Sequence, residues 1–170
     1  MQNRWLKFYV LWVAQGLGLG RSPIAPGTFG SLLGLLWFAM LLRTGQWWSY
    51  FLGIAIGFAA SVWFCGRGEE LLHQKDPGSI VLDEITALPV CFVSFIAMSQ
   101  YRYGHWPALE FFFSGTGWGR TLVVFALFRA FDILKPWPIR QSQKLTGGWG
   151  VTVDDFIAGF YVALVTWPFA

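Results

Sequence analysis

The chain has 170 residues, 55% of them hydrophobic and only 12% charged, with a mean hydropathy of +0.51. That excludes an ordinary soluble domain and, at this length, points to one membrane domain. The net charge of +3 comes without a basic run, so it fits a membrane protein that orients itself with Lys and Arg and gives no ground for nucleic acid as a partner. Trp and Phe, at 11 and 17 residues, suit packing in a bilayer and anchoring at its interface. Cys65 and Cys91 are far apart in apolar segments and form no metal-type or disulfide pattern.

In chain order, Trp5, Phe8, Tyr9 and Trp12 recur at helical spacing beside Arg4 and Lys7, predicting an interfacial amphipathic helix within residues 1–15. Gly16 to Ser31 is a Gly- and Pro-rich loop. Its Arg21, Ser22 and Thr28 precede or open a helix, where free N–H groups favour an anion. Phe29 to Leu42 and Thr44 to Gly66 are apolar, the second long enough to span a bilayer. Arg67 to Lys75 is polar. Asp76-Pro77 predicts a helix start with Asp76 as N-cap, which would place Asp83 and Glu84 on a common stripe before a kink at Pro89. Ile85 to Tyr101 and Trp118 to Leu134 are further apolar helices. The latter ends in Arg129, Asp132 and Lys135 on one face, just before Pro136. After a turn-rich connection holding Arg140, Thr152 and Asp155 match a capping box opening the last helix, Phe156 to Ala170. The capping box accounts for Asp155 as a structural residue and leaves Asp154 unexplained.

Counting the apolar segments as crossings gathers most Lys and Arg on one side, which the positive-inside rule makes cytoplasmic. Asp83, Glu84, Asp132, Asp154 and Asp155 fall on that side too, and only Glu110 lies opposite with Arg43, Arg102 and Arg120. Carboxylates without a suitable His or Cys set select a hard cation such as Mg²⁺. Arg21, Ser22, Thr28, Lys135 and Arg140 are the groups to hold phosphate oxygens, while activated water attacks phosphorus in line. No cysteine-phosphatase, DxDx[TV] or histidine-phosphatase pattern is present. A non-enzymatic carrier of phosphorylated lipids or small anions would also use such charges, but at mid-membrane or on both sides.

Four motifs, GRSPIAPGTFGS, DPGSIVLDEI, LFRAFDILKPWPIR and GGWGVTVDDFIAG, closely resemble the phosphatidylglycerophosphatase A family in order and spacing, from Gly16 onward. The resemblance implies an all-α integral membrane enzyme with a cytoplasmic-side active site in the bacterial inner membrane. It further implies a Mg²⁺-dependent removal of the terminal phosphate of phosphatidylglycerophosphate to give phosphatidylglycerol in phospholipid biosynthesis. Carried over by position, it assigns Asp83, Glu84, Asp132, Asp154 and Asp155 as catalytic and metal-binding acids. Beside them it sets Arg21, Thr28, Lys135 and Arg140, and Ser22 and Arg129 join these as expected substrate contacts. One departure is visible: Thr86-Ala87 stands where the family usually has Val-Gly, which alters packing but removes no candidate ligand.

Overall fold

A computed structural model describes residues 4–170, which are helical with no strand among them. The helices are α1 (Arg4–Ala14), α2 (Pro26–Leu42), α3 (Trp47–Leu72), α4 (Leu82–Ala87), α5 (Val93–Tyr103), α6 (Glu110–Phe113), α7 (Gly117–Leu134), α8 (Ile139–Ser142) and α9 (Gly148–Thr166). Three stretches are long and apolar enough to cross a membrane: Trp47–Leu72, Leu82–Tyr103 and Gly148–Phe169. Helix α2, with 17 residues, is shorter, and α7 carries Arg120, Arg129 and Asp132. Both nevertheless run the length of the bundle. Gly27 of α2 meets Glu84 at one end while the Leu42 carbonyl accepts from Trp106 Nε1 at 2.7 Å at the other. Likewise Arg120 of α7 donates to the Phe111 carbonyl, and Arg129 reaches Glu84.

Close packing of small residues sets these helices together, as expected where lipid supplies no hydrophobic drive between them. Gly27, Gly30, Ser31 and Gly34 share one face of α2, and a Cβ on Gly30 or Gly34 would stand 2.7 Å from Val81 Cβ or 2.8 Å from Leu88 Cβ. Similarly, a Cβ on Gly148 would stand 1.9 Å from the Val62 carbonyl oxygen, so α9 can lie against α3 only with glycine there. Away from the charged end the core is aromatic. Phe38 stacks on Phe92 at 3.8 Å and both meet Phe112 edge-on, while Tyr50 donates to the Pro89 carbonyl at 2.7 Å.

The amphipathic helix forms as α1, with Trp5, Phe8, Tyr9 and Trp12 exposed and Val10 and Ala14 turned to the protein. Residues 1–3 of that expectation lie outside the described residues. The break at Pro89 is also present: Leu88–Phe92 is a 3-10 segment between α4 and α5.

Three expectations are corrected. Asp76 does not cap a helix; it sits in a turn at φ 47°, and α4 begins at Leu82 behind Val81, because Ile80 N–H closes a turn onto the Pro77 carbonyl instead. Helix α3 continues to Leu72, taking in two thirds of the polar segment that runs from Arg67 to Lys75. The Thr152–Asp155 capping box does not exist. Helix α9 starts at Gly148, so both residues lie inside it, buried, and the Thr152 hydroxyl is 3.0 Å from Ser61 Oγ of α3.

Candidate active site

Five side chains from α4, α7, the residue after α7, and α9 form one continuous chain of charge. Arg129 stands between two acids, with Nη1 at 3.2 Å from Glu84 Oε1 and 2.7 Å from Asp132 Oδ2. Lys135 stands between the next two, with Nζ at 3.7 Å from Asp132 Oδ1 and 2.5 Å from Asp154 Oδ2. The spacing of three along α7 brings Arg129, Asp132 and Lys135 together, although Lys135 itself is already past the helix, at φ 44°. That left-handed turn is what swings its ammonium towards α9.

Asp83 and Asp155 complete the group from the other side. Both are buried, and Asp155 lies within electrostatic reach of Asp132, Asp83, Asp154 and Glu84. Adjacent in sequence, Asp83 and Glu84 look to different neighbours: Asp83 towards Asp154 and Asp76, Glu84 towards Arg129 and Asp132. The first turn of α4 thus points one acid at α9 and one at α7. Burial pulls the Lys135 ammonium towards neutrality, but the Asp154 carboxylate, helped by Asp155 and Asp132, overrides it and raises the pKa above the usual lysine value. Lys135 is therefore a fixed cation.

Glycine builds the wall beside this group. A Cβ on Gly27 would lie 2.1 Å from Glu84 Oε1 and 2.9 Å from Arg129 Nη2, and a Cβ on Gly30 would lie 2.8 Å from Glu84 Oε2. Ser31, one position on, lies 3.4 Å from Arg129 Nη1 and donates to the Gly27 carbonyl at 2.9 Å. These three residues were passed over in the sequence, where their signal was the run of small residues at Gly27, Gly30, Ser31 and Gly34 on one helix face. Ser61 was also missed; it lies 3.0 Å from Thr152 Oγ1 and 3.4 Å from Cys65 Sγ, behind Asp83. Thr86, the departure from the family pattern, is buried, donates to the Asp83 carbonyl at 3.2 Å and packs against Gly57.

The expected phosphate-holding residues are more scattered. Arg21 is exposed and donates through Nε to Gln15 Oε1 at 2.7 Å; Gln15 in turn donates to Ser79 Oγ at 3.2 Å. This ties the first motif to the second. The Ser22 hydroxyl bonds within its own turn, to the Ile24 carbonyl and N–H, and Thr28 sits in the first turn of α2. Arg140, in α8, is exposed and makes no ion pair with any described acid. None of the four forms a hydrogen bond or ion pair with a carboxylate of the group.

As for a metal, no three His, Cys, Asp or Glu side chains among the described residues converge as a ready-made set. Mg²⁺ demands less, because one or two carboxylates suffice when water and substrate phosphate supply the other oxygens. The donor set meets that need: Asp83 Oδ1, Glu84 Oε2 and Asp154 Oδ1 are buried and make no hydrogen bond. Buried unpaired oxygens of this kind are costly without a positive partner.

Fold and site together define a helical membrane protein with a cation-bridged carboxylate cluster at one end of its bundle. Residues 12–170 match the model for phosphatidylglycerophosphatase A, and the chain belongs to that family. It is 34% identical to phosphatidylglycerophosphatase A of Haemophilus influenzae over 90% of this chain and 83% of that protein. With the Escherichia coli phosphatidylglycerophosphatase A the identity is 32%, over 86% and 75% of the two chains. A Bacteroides thetaiotaomicron protein, provisionally named phosphatidylinositol-3-phosphatase, is 30% identical over 94% and 95%. No solved structure matches the chain.

Proposed function

We propose that this chain hydrolyses phosphatidylglycerophosphate to phosphatidylglycerol and phosphate, with Mg²⁺, at the cytoplasmic face of a bacterial inner membrane, as a step of phospholipid biosynthesis. The observation that carries this is the carboxylate group in which Arg129 and Lys135 bridge Glu84, Asp132 and Asp154, with buried Asp83 and Asp155 beside them, in a chain of this family. A lipid phosphate travels at headgroup level, and acids gathered at one helix end suit it better than they suit a carrier's path through the bilayer.

The residues divide by what holds them. Arg129 and Lys135 are committed to carboxylates, so their first task is to orient Glu84, Asp132 and Asp154 and offset their mutual repulsion. Asp83, Glu84 and Asp154 carry the unpartnered oxygens, and one or two of them would hold Mg²⁺, which would supply charge neutralisation at the phosphate oxygens. Glu84 and Asp132 keep 12% side-chain exposure against 3% for Asp154. Water reaches Glu84 and Asp132 more readily, and Asp132, free of the metal-holding task, takes the proton from the attacking water. Arg21 and Arg140, exposed and unattached to the cluster, are available to meet the phosphate of an arriving lipid. The proton and the phosphate are thus handled by different residues.

Phosphate release by the purified protein tests this, with phosphatidylglycerophosphate and phosphatidylinositol 3-phosphate as parallel substrates, in excess chelator and after Mg²⁺ is restored. Release from phosphatidylglycerophosphate that needs Mg²⁺ is expected. Full release in chelator removes the metal, and release from the inositol lipid alone reassigns the substrate.

A further inference from the structure

A second charged cleft lies outside the carboxylate group, between α1 and the last turns of α3. It has a volume of about 300 Å³, and its walls include Lys7 and Val10 from α1, Trp63, Arg67 and Glu70 from α3, and His73 just after α3. We propose that this cleft holds the headgroup of an anionic diacyl phospholipid as a bound lipid, separate from any substrate.

Charge and surroundings together select that occupant. Lys7 is exposed and has no ion-pair partner among the described residues. Arg67 is paired on one side only, Nη1 lying 2.7 Å from Glu70 Oε2, and its side chain is 56% exposed, so much of the guanidinium fork faces outward. His73, exposed where α3 ends in a left-handed turn, adds a ring nitrogen to the same wall. A phosphodiester anion satisfies these donors; a zwitterionic headgroup brings its own cation into a site already holding two. The apolar part of the ligand also has its place. Leu6 of α1 and Trp63 of α3 line the cleft and are at least half exposed, as side chains are that meet acyl chains at the membrane interface. Gly68 of α3 packs against Ala14 of α1, a Cβ there standing 3.4 Å from Ala14 Cβ, so the cleft's two walls are in contact just below it. A soluble anion would use the cations but leave the exposed Leu6 and Trp63 without function. Glu70 is the informative wall residue, because it opposes an anion and its neutralisation should improve binding.

Native mass spectrometry of the full-length protein in neutral detergent, equilibrated with phosphatidylglycerol or phosphatidylcholine of matched chains, tests this. Retention of phosphatidylglycerol about tenfold above phosphatidylcholine is expected, a modest preference of the size two exposed charges supply. Lys7→Gln with Arg67→Gln should lower phosphatidylglycerol retention severalfold from the wild-type value, Glu70→Gln should raise it, and Arg102→Gln, at the opposite end of the bundle, should leave it unchanged. Phosphatidylglycerol held at the carboxylate group is common to wild type and these variants, so the difference reports the cleft. Equal retention of the two lipids, unchanged retention in the double variant, or a fall in Glu70→Gln overturns the proposal. Displacement by inorganic phosphate would show a free-anion site and overturn it as well. A double variant that loses its helical circular dichroism is replaced by Lys7→Gln alone, which must still lower retention.

Discussion

Gly27→Ala is the sharpest probe of how the buried ion pairs are held. A methyl at this position of α2 would stand 2.1 Å from Glu84 Oε1 and within 3.0 Å of both terminal Arg129 nitrogens. The carboxylate must retreat by roughly 1 Å to reach a tolerable contact, which stretches its 3.2 Å bond to Arg129 beyond hydrogen-bonding range. Losing that charge-assisted bond costs about 1.5–3 kcal/mol. Replacing glycine by alanine in a helix returns about 0.5–1 kcal/mol, so a net loss of about 0.5–2.5 kcal/mol is expected. Turnover should suffer more than stability, because displacing a reacting group by about 1 Å costs about a hundredfold. Gly119→Ala in α7 is the matched control: nothing lies within 4 Å of its Cβ, so only the helix gain should remain. The assay is phosphate release alongside thermal unfolding in detergent. A Gly27→Ala protein that gains stability like Gly119→Ala and turns over like wild type would refute the reasoning.

Asp83→Asn and Asp132→Asn should insert and fold yet lower turnover by at least about a hundredfold, the scale of a lost metal ligand or base; wild-type turnover in either variant would remove that residue from the site. Lys135→Met leaves Asp132 and Asp154 facing each other without their shared cation, and should cost about 1.5–3 kcal/mol of stability at neutral pH. Because the folded protein raises the Lys135 pKa, that contribution is fully present below the unfolded lysine value of about 10 and declines only as pH rises through the folded one. Thermal unfolding of both proteins from pH 7 to pH 10.5 checks this, and a difference that vanishes by pH 8 would contradict it. For orientation, Gly78→Cys and Lys144→Cys should both react with an impermeant thiol reagent only from the cytoplasmic face; Gly78 has open space around it, and the native Cys65 and Cys91 are buried. Labelling of either from outside would reverse the proposed topology.

The sequence by itself determined the apolar helices, the break at Pro89 and which acids gather at one end of the bundle, because apolar continuity, proline chemistry and ionised groups in apolar surroundings are local and costly signals. It also yielded the family, through four ordered motifs. Helix starts at Asp76 and Thr152 were misjudged for a common reason. A capping pattern records only what a side chain is able to bond locally. Tertiary packing used Thr152 against Ser61 and turned Asp155 into the acid cluster, while Gly147, at φ 57° and ψ −152°, opened α9 earlier. Which acid meets which cation was likewise undecided until the helices packed. Arg129 and Glu84 are 45 residues apart, and Lys135 and Asp154 are 19 apart, so no spacing along one helix could pair them. The glycines of α2 reveal their purpose only in three dimensions, since the space each leaves is filled by a side chain from another helix.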